Sequence, residues 1–149
     1  MEKLIIDRGV REYQVTENGV LRFNPCDPNV YARFVEAAGK VLTAEEKLVA
    51  AAKKLNAESS GNHYEAFLYL LAEADKEVKQ ILTDVFGQEN DFDKIMDGVS
   101  LLAVASNGER VITNFLNALL PVFREGIESY ARQTAGAAVA TAKQRRGEE

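Results

Sequence analysis

The chain of 149 residues contains no tryptophan, one cysteine, one histidine and three prolines. With Cys26 alone no internal disulfide can form, and Cys26 and His63 do not have the spacing of zinc ligands. A nucleophile elbow and a glycine-rich nucleotide-binding motif are also missing. No apolar run approaches the ~20 residues that cross a membrane, and no signal-peptide core stands near the beginning. We therefore expect a cytoplasmic, non-enzymatic protein without a metal or cofactor.

Charge is distributed unevenly along the chain. Residues 60–98 hold three basic and nine acidic side chains, whereas residues 132–149 hold four basic and two acidic ones. The acidic middle argues against nucleic acid as a partner, because phosphate binding needs clustered Lys and Arg. Asp91 and Asp93 resemble a calcium loop, but Ile95 stands at the fifth position, where an oxygen ligand is required. Solvated, helix-capping carboxylates are therefore expected there.

The most apolar periodic stretch runs from residue 109 to 130 and predicts the central helix of the fold. Its spacing of three and four residues defines one apolar face, formed by Val111, Ile112, Phe115, Leu116, Leu119, Leu120, Val122, Phe123, Ile127 and Tyr130. Asn107-Gly108 gives it a turn at the start. Pro121 lies inside the helix and removes one backbone hydrogen bond. We expect Phe115, Leu116, Leu119 and Phe123 to be buried.

The first 57 residues predict strands followed by a helix. Alternation at Leu4 and Ile6, then a turn at 17–19 and a return through 20–23, predicts short strands that form a hairpin. Asp27 and Pro28 are typical of the N-cap and first residue of a helix. That helix presents one apolar face, comprising Val30, Phe34, Ala37, Val41, Leu48 and Leu55. A capping-box pattern leaves open a break near residue 43.

The middle of the chain predicts a loop at 59–62 and a helix over about 62–86 that is stopped by Gly87. Asp91 is expected to cap a short helix, 92–97, that Gly98 closes. Ser100–Ala105 is compatible with a short helix or a buried strand, and we favour the helix. The fold class is therefore mainly α: three long helices, short helices and a small N-terminal β-hairpin.

We expect a single domain over residues 1–133, with the hairpin in residues 1–24. Residues 134–149 are rich in alanine and basic side chains. Alanine favours helix but buries little surface, so a frayed helix or a disordered tail is expected there. The isolated strands and the alanine-rich helix faces favour association into a homo-oligomer.

Four apolar residues at the boundary between the acidic helix and the central helix are candidates for a partner-binding groove: Phe86, Phe92, Ile95 and Met96. Aromatic residues and methionine are common interface anchors. The alternative is that these four side chains complete the monomer core. Carboxylates beside them would flank the groove and steer basic segments of a partner, namely Asp84, Glu89, Asp91 and Asp93.

Several segments together resemble small tail assembly chaperones of long-tailed bacteriophages and prophages of Gram-positive bacteria. These segments are Leu4–Val10, the hairpin with Arg22–Val30, Asp84–Gly87, the run 98–120, and the closing Lys143–Arg146. The resemblance covers most of the chain in order. Its motifs are structural and include no catalytic signature. The alanine-rich stretch 135–142 is less typical of these proteins.

The resemblance implies a non-catalytic helper in the host bacterial cytoplasm that is absent from the mature virion. Such chaperones coat the tape measure protein, keep its apolar helices soluble and recruit tail tube subunits. Many are made in two lengths by a ribosomal frameshift, and this chain would correspond to the shorter form. Two other functions remain open: a structural tail component of the virion, and a cellular helical adaptor protein.

Overall fold

The computed structural model describes residues 1–57, 63–145 and 147. Its elements, in chain order, are β1 (Arg11–Gln14), β2 (Val20–Phe23), α1 (Pro28–Ala57), α2 (His63–Phe86), α3 (Phe92–Ile95) and α4 (Val111–Arg145). The predicted class, three long helices with a small N-terminal hairpin, is confirmed. The loop predicted at 59–62 and the side chain of His63 lie outside the described residues.

β1 and β2 form the predicted antiparallel hairpin, with Tyr13 opposite Leu21. The N–H groups of Val15 and Thr16 donate to the carbonyl of Gly19 at 2.9 and 3.3 Å, which confirms the predicted turn. Gly19 packs directly against α3: a Cβ there would overlap the carbonyl oxygen of Ile95. Glycine at this position therefore allows the hairpin to lie against α3.

The strand predicted around Leu4 and Ile6 is absent. Residues 1–10 have no regular structure, and the side chains of Leu4, Ile5 and Ile6 are 97, 89 and 75% exposed. Gly9 has a φ of +68°, and its N–H donates to Asp7 Oδ1 at 2.8 Å. An alternating pattern forms a strand only where a second strand supplies hydrogen bonds.

The outer edge of β2 is closed by one side chain, Asn90. The Arg22 N–H donates to Asn90 Oδ1 at 2.8 Å, and Asn90 Nδ2 donates to the carbonyls of Arg22 and Phe86, both at 2.9 Å. The amide thus pairs with Arg22 as a neighbouring strand would. Asn90 is buried, and all its hydrogen bonds are made within the protein.

α1 begins as predicted at Pro28, after Asp27, whose carboxylate accepts the N–H of Asn29 at 2.9 Å. The break left open near residue 43 does not occur, because the helix is continuous to Ala57. Thr43 donates its hydroxyl to the Gly39 carbonyl within the helix at 3.0 Å. The side chain therefore forms a bond internal to α1 and does not cap a second helix.

α2 ends at Phe86, directly before the predicted stop at Gly87, which has a φ of +106°. Asp91 caps α3 as expected and accepts the N–H groups of Asp93 and Lys94. α3 itself spans four residues and stops before the predicted end at 97. Asp97 (φ +52°) and Gly98 (φ +76°) then adopt left-handed conformations, which end the helical path.

Ser100–Ala105 is not the helix that we favoured. It forms turns, and Val104 makes an isolated bridge with Arg110. The carbonyls of Leu101 and Ala103 accept the N–H groups of Ile112 and Val111, both at 2.8 Å. These carbonyls satisfy donors in the first turn of α4, which has no earlier turn of its own to supply acceptors. The segment therefore does not use these two carbonyls for hydrogen bonds of a helix of its own.

α4 differs from the predicted central helix at both ends. It starts two residues later, at Val111, and continues past Tyr130 through the alanine-rich segment to Arg145. Phe115, Leu119 and Phe123 are buried as expected, while Leu116 is half-buried. Pro121 lies inside the helix.

Gly126 is the last buried position on α4 among the residues whose burial is described, which end at 136. A Cβ there would overlap the carbonyl oxygen of Pro25, so α4 approaches the link between β2 and α1 too closely for a side chain. Beyond it Ile127 and Tyr130 are exposed. The apolar face of α4 thus extends past the elements that cover its first half.

An aromatic cluster joins the hairpin to the helices. Phe123 packs against Phe23 with ring centroids 5.6 Å apart, against Phe34 at 4.5 Å and against Phe86 at 6.4 Å. Phe115 contacts Phe86 and Phe92 edge to face. Such pairs add to the hydrophobic gain from burial. This cluster is the centre of the core.

Replacing Phe123 by alanine tests this centre. We expect Phe123→Ala to lower the free energy of unfolding by about 3–5 kcal/mol, since it empties a buried aromatic site. The measurement is urea unfolding, read as a lower midpoint with an unchanged slope. Tyr130→Ala in the same helix is the control, because Tyr130 is 44% exposed. A loss in Phe123→Ala no larger than in Tyr130→Ala would show that the cluster is not the centre.

Candidate interaction surfaces

The four apolar residues proposed for a groove are in the core. Phe86, Phe92, Ile95 and Met96 are at most 5% exposed, and all four belong to the main buried cluster. Phe86 and Phe92 lie 6.0 Å apart, ring to ring, and pack against Phe115. The structure thus decides between the two interpretations: these residues complete the monomer core, and the open groove that they were expected to line is not there.

The four carboxylates near them are all exposed. Asp84 accepts a hydrogen bond from Gln80 at 3.0 Å, and Asp91 caps α3. Asp93 pairs with Lys79, whose ammonium lies 2.8 Å from Asp93 and 2.8 Å from Asp75. Together with Glu89, these groups make an acidic surface but do not flank an apolar groove.

Lys79 is a buried cation held between two carboxylates. Burial opposes its charged form, but the hydrogen bonds and charges of Asp75 and Asp93 more than compensate, so the pKa of Lys79 is raised above its usual value. Asp75 also accepts the N–H of Leu101 at 2.8 Å. The cluster therefore ties α2 to α3 and to the turn before α4.

Within the described ranges, no group of three or more His, Cys, Asp or Glu side chains is arranged to hold a metal ion. Cys26 is half-buried and unpaired with another cysteine. Over those same residues, no helix combines the length and hydropathy required to cross a membrane.

One apolar helix surface that the fold leaves open lies on α1. Tyr31, Val35, Leu42 and Val49 are 42–56% exposed, and we call them the outer stripe. The buried residues of α1 lie on another side of the helix: Val30, Phe34, Ala37, Val41, Ala44 and Leu48. The helix therefore has two apolar faces, of which the monomer covers one.

The spacing of the outer stripe is that of a coiled-coil seam. Val35, Leu42 and Val49 are seven residues apart. The positions three residues after them are Ala38, Glu45 and Ala52, so one charged side chain interrupts the seam. A repeat of this kind lets a second helix pack along the first for several turns. From Tyr31 to Val49 the stripe is about 27 Å long.

One depression adjoins the outer stripe, and another lies between the end of α1 and the start of α2. One, of about 400 Å³, lies beside Leu42 and Val49 and is bordered by Glu46, Lys53 and Arg110. The other, of about 310 Å³, lies at the end of α1 and is lined by Ala52, Leu55, Asn56, Tyr64 and Phe67. The first can accept side chains from a helix lying on the stripe and carries charges of both signs at its rim.

A second open apolar region, the hairpin groove, lies between β1 and α4. Its volume is about 380 Å³. Its apolar lining comes from the hairpin and from α4, with one residue from the end of α3: Tyr13, Val15, Leu21, Met96, Val111, Phe115, Ala118, Leu119 and Val122. Of the four residues first proposed for partner binding, Met96 alone lines it.

The sequence contained a signal for the outer stripe that our interpretation missed. We assigned a single apolar face to α1 and passed over the seven-residue repeat of Val35, Leu42 and Val49. Two apolar faces on one helix are visible as two overlapping periodic patterns. The sequence does not show which of the two faces the monomer covers, because that depends on where α2 and α4 pack.

Comparisons of the chain with protein-family models, with curated protein sequences and with solved structures find no match.

Removing the buried cation tests the cluster around Lys79. We expect Lys79→Met to lower the free energy of unfolding by about 1–3 kcal/mol at pH 7, since it leaves Asp75 facing an apolar side chain. Because the folded-state pKa is raised above 10.5, the stabilisation by Lys79 is complete below that pH. It is lost as the pH rises through the folded-state pKa.

The measurement is urea unfolding of both proteins between pH 7 and 11.5. The difference between them should be constant up to about pH 10 and shrink above it. Lys76→Met is the matched control, because Lys76 is exposed and pairs with Glu73 on the surface at 3.6 Å. A difference that grows at alkaline pH would contradict the assignment.

Proposed function

We propose that this protein is a non-catalytic tail assembly chaperone that binds the helical tape measure protein of a long-tailed phage through the outer stripe of α1. In this proposal it works in the host cytoplasm, keeps its client soluble, helps to recruit tail tube subunits and is absent from the finished virion. The proposal combines the sequence resemblance with one observation: an apolar heptad surface that the monomer leaves uncovered.

The chemistry of such a client fits this surface. A tape measure protein is expected to present long apolar helices, and a chaperone must cover them without reading a particular sequence. A seam of Val, Leu and Ala with one charged position, Glu45, meets this need, because its apolar positions exclude water from a helix with apolar residues at similar spacing. Binding through side-chain packing alone also permits release when tube subunits compete for the client.

The acidic character of the chain supports the same function. Residues 60–98 carry nine acidic and three basic side chains, and the carboxylates of this region are mostly exposed. They attract basic client segments and raise the rate of encounter, while the apolar seam supplies affinity. Salt should weaken the steering much more than the packing.

Two substitutions on the outer stripe test the proposal. We expect Leu42→Asp with Val49→Asp to abolish solubilisation of the co-expressed tape measure protein, because two carboxylates would be buried against an apolar helix. The measurement is the soluble fraction of the client and its recovery with the chaperone. Both side chains are 47–56% exposed in the monomer, so its fold should survive.

Thr43→Asp with Ala50→Asp is the matched control. These residues follow Leu42 and Val49 by one position, have the same seven-residue spacing and are exposed on a different side of α1. The control variant should solubilise the client as well as the parent. If both variants solubilise the client equally well, the outer stripe is not the client surface. If the client is never recovered together with the parent protein, the proposed chaperone function is wrong.

Gene order separates this proposal from the two other functions considered above. A chaperone gene is expected between the tail tube gene and a very long tape measure gene. A structural tail component would be recovered in purified virions, whereas a cellular adaptor would have no phage genes beside it.

A further inference from the structure

We infer that the hairpin groove and the outer edge of β1 bind residues 3–7 of a second copy of this chain as a third strand. The inference is independent of the proposed function. It rests on an open strand edge, an apolar groove beside that edge, and a segment of the same chain that has the matching pattern and no cover.

The outer edge of β1 is open. Arg22 turns its N–H and carbonyl toward Asn90, so Arg22 and Glu12, which face each other in register, form a non-hydrogen-bonded pair. Glu12 and Gln14 therefore turn their backbone groups away from β2. Within the described residues these outward groups have no backbone partner. Asn90 closes one edge of the hairpin, and the other edge is free to accept a strand.

The hairpin groove begins at the same edge. Tyr13 and Leu21 form its wall on the sheet, and Val111, Phe115 and Leu119 form its wall on α4. A third strand beside β1 would lie across this opening. Its alternate side chains would enter the groove, while the others would remain in water.

Residues 3–7 have the alternation that such a strand requires. With Leu4 opposite Tyr13 in antiparallel register, Leu4 faces the groove and Ile6 lies on the same face, opposite Arg11. Lys3, Ile5 and Asp7 then face solvent. Lys3 and Asp7 then both lie diagonal to Glu12 on the solvent face, so one charge attraction and one repulsion act there. In the monomer Leu4 and Ile6 are 97 and 75% exposed, among the most exposed large apolar side chains of the described residues.

The base of this segment favours a strand donated to another copy over a strand folded back in the same chain. Asn24 Nδ2 donates to the Arg8 carbonyl at 2.9 Å, and Asp7 accepts the Gly9 N–H at 2.8 Å. A Cβ on Gly9 would lie 2.8 Å from Asn24 Nδ2, so the turn packs closely against the body. In the structure residues 3–6 form no strand with their own β1, and Leu4, Ile5 and Ile6 are exposed. Exchange of such a segment is a common route to oligomers.

Cross-linking distinguishes exchange between copies from folding back. In a Cys26→Ser background, Ile5→Cys chains are mixed with Glu12→Cys chains and oxidised. In the proposed register these positions are opposite each other on the solvent face, at a separation that a disulfide can span. We expect a mixed disulfide dimer of the two chains. In the control mixture Ile5→Cys is combined with Arg22→Cys, which lies on β2, one strand further from the added strand. This mixture should give little mixed disulfide dimer.

Light scattering of a matched pair of variants supplies the second measurement. Leu4→Asp places a carboxylate in the groove and should raise the dissociation constant of self-association by at least about tenfold. Ile5→Asp makes the same change on the solvent face and should alter it far less. Neither residue is buried in the monomer, so circular dichroism should be unchanged.

Three outcomes would overturn the inference. The first is a parent protein that is monomeric at tens of micromolar. The second is a cross-linking mixture that yields no more dimer than its control. The third is a chain carrying both Ile5→Cys and Glu12→Cys that closes within itself while the mixture of single variants does not react, since that would place the strand in its own chain.

Discussion

The packing of Phe123 against three other phenylalanines is the contact on which the rest of the structure depends. Phe23 comes from β2, Phe34 from α1 and Phe86 from α2, so one side chain of α4 joins the hairpin to two helices. Gly126, one turn later, allows the α4 backbone to reach Pro25. A two-stranded sheet is not stable alone in water. Its attachment to this cluster is what makes it part of the domain.

This arrangement places most of the phenylalanines inside and leaves aliphatic side chains and tyrosines at the surface. The two open apolar regions differ in their physics as a result. The outer stripe offers side chains alone, on a helix whose backbone is fully hydrogen-bonded. The edge of β1 offers backbone hydrogen bonds beside an apolar groove. A helix suits the first and a strand suits the second.

The main ambiguity in the sequence interpretation concerned Phe86, Phe92, Ile95 and Met96. Their composition is equally typical of a core and of an interface, because both bury aromatic side chains and methionine. For the same reason the sequence interpretation did not propose Leu42 and Val49 of the outer stripe as an interaction surface. The identity of an apolar side chain does not show whether it is buried by its own chain or by a partner.

The sequence by itself determined what local chemistry controls. Asp27 and Asp91 cap helices because a carboxylate near free N–H groups acts within three residues, and Gly87 ends α2 because its backbone tolerates a positive φ. Helical periodicity placed the three long helices for the same reason. Tertiary structure alone decided the rest: the unpaired state of Leu4 to Ile6, the turns at 100–105, the edge closed by Asn90, and the face of α1 left open. Each of these depends on a partner far away in the chain, and hydrogen-bond donors and apolar faces do not specify which partner they will meet.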